Sequence, residues 1–345
     1  MEKRDVAGNS EIKGFKNPSL MQVGIIYSLC VLLYFFIGSM LMERDFNKGA
    51  IINQFVLIFL PPVLFLVLFK FDLKKVLRLN KIRPVTLVII FFLTVFSIPL
   101  VAIINLLNHF LVKALFGRAE VMQPPISTDF PGVLVSFFVI GIVAGICEEV
   151  LFRGVIQRGF EKYGVKKAII ITALLFGLMH LNFQSLFGTF LLGVLIGFIV
   201  YRTNSLYGGI FAHFANNSIA VALSLYALRA EEFLGDIEVE GDIFSQFENL
   251  PSEMFAATVI GLIAGYSLIF IFFGVIFGFL MYLFIRNTSK TKVDNLEKKE
   301  PVKLKAVLAF VPGLLVIAFV YVIQGLLMGE FVEPEIIQNI YEYMF

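Results

Sequence analysis

Residues 131–157 read PGVLVSFFVIGIVAGICEEVLFRGVIQ, and where the charges fall in this stretch decides the fold. The run from Val133 to Cys147 carries no charge and suits hydrocarbon, yet it passes without a break into Glu148, Glu149 and Arg153. An ionisable side chain near a bilayer centre costs about 2.5–3.5 kcal/mol on insertion scales, so such groups mark function by default. Glu149 and Arg153 stand one helical turn apart and can pair on one face. Glu148 projects about 100° away from Glu149 on a helix of about 3.6 residues per turn, so the two acids need not share a role.

Outward from this stretch, apolar segments recur near 20–42, 50–71, 85–107, 168–182, 185–201, 207–228, 254–285 and 306–327. Of 345 residues 59% are hydrophobic and 16% charged, whereas soluble chains hold about 45–50% apolar and about 25% charged residues. Such an excess does not fit inside one soluble core, and a helical span needs about 20 apolar residues. The expected fold is all-α, a polytopic transmembrane helical bundle of about nine spans. It divides into a cytoplasmic tail 1–17, a single membrane domain 18–328 with its chemistry-bearing core at about 130–228, and a C-terminal tail 329–345. Segment 168–182 is short for a full crossing.

Orientation follows from Lys and Arg, which cytoplasmic loops retain. Lys70, Lys74, Lys75, Arg78, Lys81 and Arg83 crowd one loop; Arg158, Lys162, Lys166 and Lys167 another; Arg286, Lys290, Lys292, Lys298, Lys299, Lys303 and Lys305 a third. Nine spans put all three on one side, with the amino terminus cytoplasmic and the acidic segment 229–253 outside. The first residues show no cleavable signal peptide. A net charge of +2 argues against nucleic acid as a partner, because phosphate binding calls for clustered cations. Cys30 and Cys147 both sit in apolar runs and make no disulfide framework or Cys-ligated zinc site.

The chain has three histidines. His180 follows Phe176 by one turn, and His213 precedes Asn217 by one turn, so each pair shares a helix face. At about 1.5 Å per residue, Glu149 lies about 16 Å and His180 about 20 Å inside the ends of their helices, and His213 and Asn217 about 12 and 18 Å. A shared site is therefore geometrically allowed, on the cytoplasmic side or near the midplane. A carboxylate and two imidazoles can bind a divalent ion such as zinc and lower the pKa of its water to about 7. Without metal, a buried Glu can take a proton from water while His or Asn donors stabilise an oxyanion. Either route hydrolyses a peptide bond.

These residues resemble the CPBP family of intramembrane proteases, which includes CAAX prenyl endopeptidases of the Ras-converting type and bacterial bacteriocin-processing or self-immunity proteins. The two Glu and the Arg of its first motif stand as Glu148, Glu149 and Arg153, the second motif as Phe176 and His180, and the third as His213 and Asn217. The resemblance covers roughly 130–228, the presumptive protease core, and none of the motifs departs from the family pattern. It implies that Glu148, helped by His180, activates water, that His213 and Asn217 hold the oxyanion, and that Glu149 and Arg153 form a supporting pair. In a metal-dependent version His180, His213 and Glu148 would be ligands. Family breadth further implies a bacterial cell membrane for this multi-pass protein, and the similar depth of the three polar clusters predicts a site opening toward the cytoplasmic leaflet. The expected substrate is a membrane-associated peptide or protein, lipidated or apolar in its tail.

Blander readings compete residue by residue. Gln54, Asn105 and Gln324 suit helix joining or cavity lining, His109 an interfacial position, and Gly141, Gly145, Gly177, Gly188, Gly193 and Gly197 close helix packing. Cys147 beside an acid in apolar surroundings is a poor nucleophile. Two other functions remain open alternatives: a proton-coupled transporter using the carboxylates, and a non-catalytic immunity or scaffold protein of the same fold.

Overall fold

The computed structural model describes residues 16–117, 126–234, 251–291 and 302–329. The tail to residue 15, residues 235–250 of the acidic segment, the basic stretch 292–301 and the C-terminal tail from 330 lie outside the described residues. Among the described residues every regular element is helical. The helices are α1 (Leu20–Arg44), α2 (Phe46–Leu68), the short α3 (Leu73–Val76), α4 (Pro84–Phe116), α5 (Phe130–Glu161), α6 (Val165–Met179), α7 (Leu186–Thr203), α8 (Leu206–Leu234), α9 (Ser252–Asn287), the short α10 (Leu304–Leu308) and α11 (Val311–Met328).

Eight of these are long and apolar enough to cross a membrane. The ninth apolar segment is α6, whose 15 residues reach about 22 Å at about 1.5 Å each, short of a hydrocarbon layer of about 30 Å. This is the shortfall expected of segment 168–182. The chain is a multi-pass, all-α membrane protein, and its helix starts follow local chemistry. Ser19 and Gln22 form a reciprocal capping box on α1, Asp45 accepts from the Lys48 backbone N–H to cap α2, and Pro84 opens α4 where no N–H is needed.

Four π-helical turns interrupt the long helices, at Tyr34–Gly38, Asn53–Phe59, Phe137–Val143 and Val150–Ile156. Such turns cost regular hydrogen bonding and gather at functional sites. Here the second contains Gln54, and the third and fourth flank the Glu148–Glu149 pair.

The three basic loops meet at one end. Arg158 Nη2 donates to the Lys75 carbonyl at 2.6 Å, the Leu206 N–H to the Arg78 carbonyl at 3.0 Å, and Arg83 to the Asn287 side chain at 3.0 Å. Two of the cations counted as loop charges prove buried. Arg78 grips both oxygens of Glu161 at 2.7 and 2.9 Å, and Arg158 Nη1 shares the second oxygen at 2.9 Å. Arg78 Nε also donates to Asn204 Oδ1 at 2.8 Å. The knot is fully desolvated, so Glu161 offsets charge that would otherwise be intolerable there. Lys70, Lys74, Lys75, Lys81, Lys166 and Lys167 stay exposed and keep this end basic.

Inside lipid, helices gain little by burying apolar surface, so close packing and polar bridges hold them together. Tyr27 of α1 donates to the Leu175 carbonyl of α6 at 3.0 Å and meets Phe152 of α5 edge-on. At Gly193 of α7 a Cβ would stand 3.0 Å from the Ala173 backbone, so only glycine admits α6 this closely. Gln324, Asn105 and Gly193 thus act in helix joining as their positions suggested: Gln324 donates to the Leu181 carbonyl, and Asn105 lies against Gly188.

Candidate active site

α5 carries the acids into the centre of the bundle, and α6 and α8 bring the imidazoles to them. Glu149 and Arg153 are both fully buried, with Nη1 2.7 Å from Oε1. Arg153 Nη2 also donates to the Gly193 carbonyl at 3.1 Å, and its guanidinium lies 4.7 Å from the centre of the Phe176 ring. The same Glu149 oxygen is 2.8 Å from His213 Nδ1. With Glu149 ionised against Arg153, Nδ1 carries the proton and donates. His213 Nε2 is thereby directed toward Glu148, 3.9 Å from its Oε2. Gly209 makes this approach feasible, since a Cβ there would lie 3.0 Å from Glu149 Oε2 and 2.5 Å from Val200.

Glu148 faces a cavity of about 300 Å³, which His180, Asn217, Tyr34 and Gln54 also line. Its Oε1 accepts from Gln54 Nε2 at 2.8 Å. Its Oε2 is buried without a hydrogen-bond partner, a costly condition for a carboxylate oxygen unless water or substrate completes it. His180 is exposed to the cavity at the end of α6. Its Nδ1 lies 2.8 Å from the Phe176 carbonyl, and a carbonyl can only accept. The proton therefore sits on Nδ1, and in the neutral ring Nε2 keeps a free lone pair.

Asn217 of α8 donates to the Ile140 carbonyl at 2.8 Å, within the π turn of α5. Its Oδ1 accepts from Asn216 at 3.1 Å, so the carboxamide is fixed and keeps one further N–H for a ligand. Phe176 is the hub beneath all of this. Its ring meets His180 edge-on at 4.7 Å, His213 at 5.8 Å and Phe152 at 5.0 Å.

The seven motif residues thus converge. His213 is bound to Glu149 and lies 3.9 Å from Glu148. Gln54 is a direct partner of Glu148, which the sequence reading placed only among helix joiners and cavity liners. The one sequence signal was a polar residue inside an apolar run. Cys147 is buried and free, and His109 does not line the cavity.

Among the described residues no three His, Cys, Asp or Glu side chains gather closely enough to hold an ion. The cavity departs from the expected direction. It is lined by Met42, Phe46 and Val139, at the end of the bundle away from the basic loops.

Residues 130–219 match the family model described as Rce1-like, type II CAAX prenyl endopeptidase. The segment contains all seven motif residues, and the resemblance to CPBP proteases holds across it. A curated protein named "Putative membrane peptidase YdiL", from Bacillus subtilis (strain 168), is 29% identical over 114 residues, 33% of this chain. The match spans 47% of that relative, about half its length. No solved structure matches the chain.

Proposed function

We propose that the protein is an intramembrane endopeptidase that hydrolyses a peptide bond of a membrane-associated protein or peptide with a water activated by Glu148 and His180. The observation that carries this reading is Glu148 in the wall of a cavity that it shares with His180 and Asn217. A water there would give one proton to Glu148 or to His180 Nε2, whose lone pair the Phe176 carbonyl leaves free. General-base assistance of this kind supplies about 10²–10⁴-fold.

As the hydroxyl oxygen attacks the carbonyl carbon, negative charge grows on the carbonyl oxygen. The remaining N–H of Asn217 can receive it, an effect worth about 10²–10³-fold for one donor. The proton taken from water then passes to the leaving nitrogen as the C–N bond breaks. Glu149, held by Arg153, fixes the tautomer of His213 and directs its Nε2 at Glu148. It acts through His213 and touches no substrate. Gln54 holds Glu148 Oε1 and so fixes the carboxylate in the cavity wall. The roles differ from those implied by the family resemblance in giving His213 to the support of Glu148.

The reading is tested on purified protein with a membrane-tethered peptide. Glu148→Ala and His180→Ala are expected to lose at least about 10²-fold in cleavage while keeping the wild-type elution profile. A Glu148→Ala protein that cleaves at the wild-type rate removes Glu148 from the mechanism.

A further inference from the structure

The geometry points to a substrate delivered from the membrane face opposite the basic loops: an uncharged apolar segment of a peptide or protein on the extracytoplasmic side. The substrate class rests on the peptidase reading above, whereas the face rests on the cavity and on where the Lys and Arg of the loops lie.

From Glu161 back to Glu149 every residue of α5 is buried, a plug of about 20 Å at about 1.5 Å per residue. Glu148 is the first residue from that end to reach open space. Below it the Arg78–Glu161–Arg158 knot closes the bundle on the basic side. Above it, Met42 and Phe46 line the cavity from the junction of α1 and α2, at the far end of both helices from the basic loops.

α6 supports the same direction. It begins at the basic end and stops at His180, after which the chain turns through Leu181 in the left-handed region at φ 52°. This irregular turn falls within hydrocarbon depth. Asn108 of α4 donates to the Phe183 and Gln184 carbonyls at 2.8 and 3.0 Å, and Gln324 of α11 to the Leu181 carbonyl. Non-helical backbone at that depth is tolerated where protein buries it or where it borders a water-filled space, and here the turn follows directly from the exposed His180.

Cytoplasmic loops retain Lys and Arg, which assigns the plugged end to the cytoplasm and the open end to the outside. Apart from Glu148 and the imidazole of His180, the lining has no charged group. A peptide carboxylate terminus would face Glu148 with no cation in the wall to receive it. An internal apolar segment meets no such penalty.

Sided labelling tests the face. In a Cys30→Ser, Cys147→Ser background, Met42→Cys, Ile140→Cys and Lys166→Cys are exposed to a membrane-impermeant maleimide in right-side-out and inverted vesicles. Met42→Cys and Ile140→Cys are expected to label at least about tenfold faster in right-side-out vesicles, and Lys166→Cys in inverted ones. Labelling of Ile140→Cys from the same face as Lys166→Cys, or from neither face, overturns the inference. Mapping of new peptide termini in membranes of wild type and Glu148→Ala tests the substrate class. Termini confined to extracytoplasmic segments support it, and termini in cytoplasmic segments overturn it. No new termini beside the expected labelling would defeat the peptidase reading and the substrate class with it, leaving the face assignment standing.

Discussion

Replacing Arg153 by methionine should destabilise the bundle far more than its single ion pair suggests. The guanidinium is fully buried, donates to Glu149 at 2.7 Å and to the Gly193 carbonyl at 3.1 Å, and lies against Phe176. Methionine fills much of the volume but leaves Glu149 as a buried carboxylate without its cation, which costs about 3–5 kcal/mol. At about 2–4 °C per kcal/mol for a chain of a few hundred residues, Tm should fall by about 6–20 °C. The assay is thermal unfolding in detergent of wild type, Arg153→Met, Glu149→Gln and the double variant. Because the double variant removes both charges, it should recover at least half of the Arg153→Met loss. Cleavage should also drop in Arg153→Met, since Glu149 loses the guanidinium that holds it against His213 Nδ1. An Arg153→Met protein melting within about 2 °C of wild type would refute the view that the pair holds the site together.

Three other substitutions separate positioning from packing. Gln54→Leu removes the donor to Glu148 Oε1; a hydrogen bond to a charged group is worth about 1.5–3 kcal/mol, so kcat should fall by about 10–150-fold with Tm near wild type, as read by peptide cleavage beside thermal unfolding. Gly209→Ala places a Cβ 2.5 Å from Val200 and 3.0 Å from Glu149 Oε2; overpacking of about 1–3 kcal/mol should appear as a lower Tm together with lost activity. At the outer end of α1 the Lys48 backbone N–H, then its ammonium group, hold the Asp45 carboxyl below the usual carboxylate range. Its contribution is therefore complete at neutral pH and lost as pH falls through that depressed value, so the Tm difference between wild type and Asp45→Ala should shrink on acidification.

Much of the fold was legible because membrane helices must declare themselves by unbroken apolar runs. The shortness of α6 showed in the same way, as did the pairing of Glu149 with Arg153, which needs only the local geometry of one helical turn. Contacts between distant segments were not legible. Gln54 reaches Glu148 across 94 residues of chain, and nothing in the run IINQFVLIF distinguishes a glutamine that joins helices from one that orients a carboxylate. Counting cations likewise could not reveal that Arg78 and Arg158 converge on Glu161. The neighbouring lysines remain exposed and keep that end basic.

The direction of the cavity was missed for a related reason. Depth measured from the basic end places Glu149, His180, His213 and Asn217 near the middle of the bundle but does not say which side is plugged. Only the packing of α5 below Glu149, and the turn after His180, distinguish the two faces. The π turns left no trace in composition, although that at Phe137–Val143 brings the Ile140 carbonyl to Asn217.

The most direct test of the central claim is mass spectrometry of peptide cleavage by the detergent-purified protein, with and without a strong chelator, beside the Glu148→Gln variant. Activation of the water by Glu148 and His180 alone predicts the same products and rate in both conditions for wild type, and at least about 10²-fold less product for Glu148→Gln. Activity abolished by the chelator and restored by added zinc, or undiminished in Glu148→Gln, would contradict it.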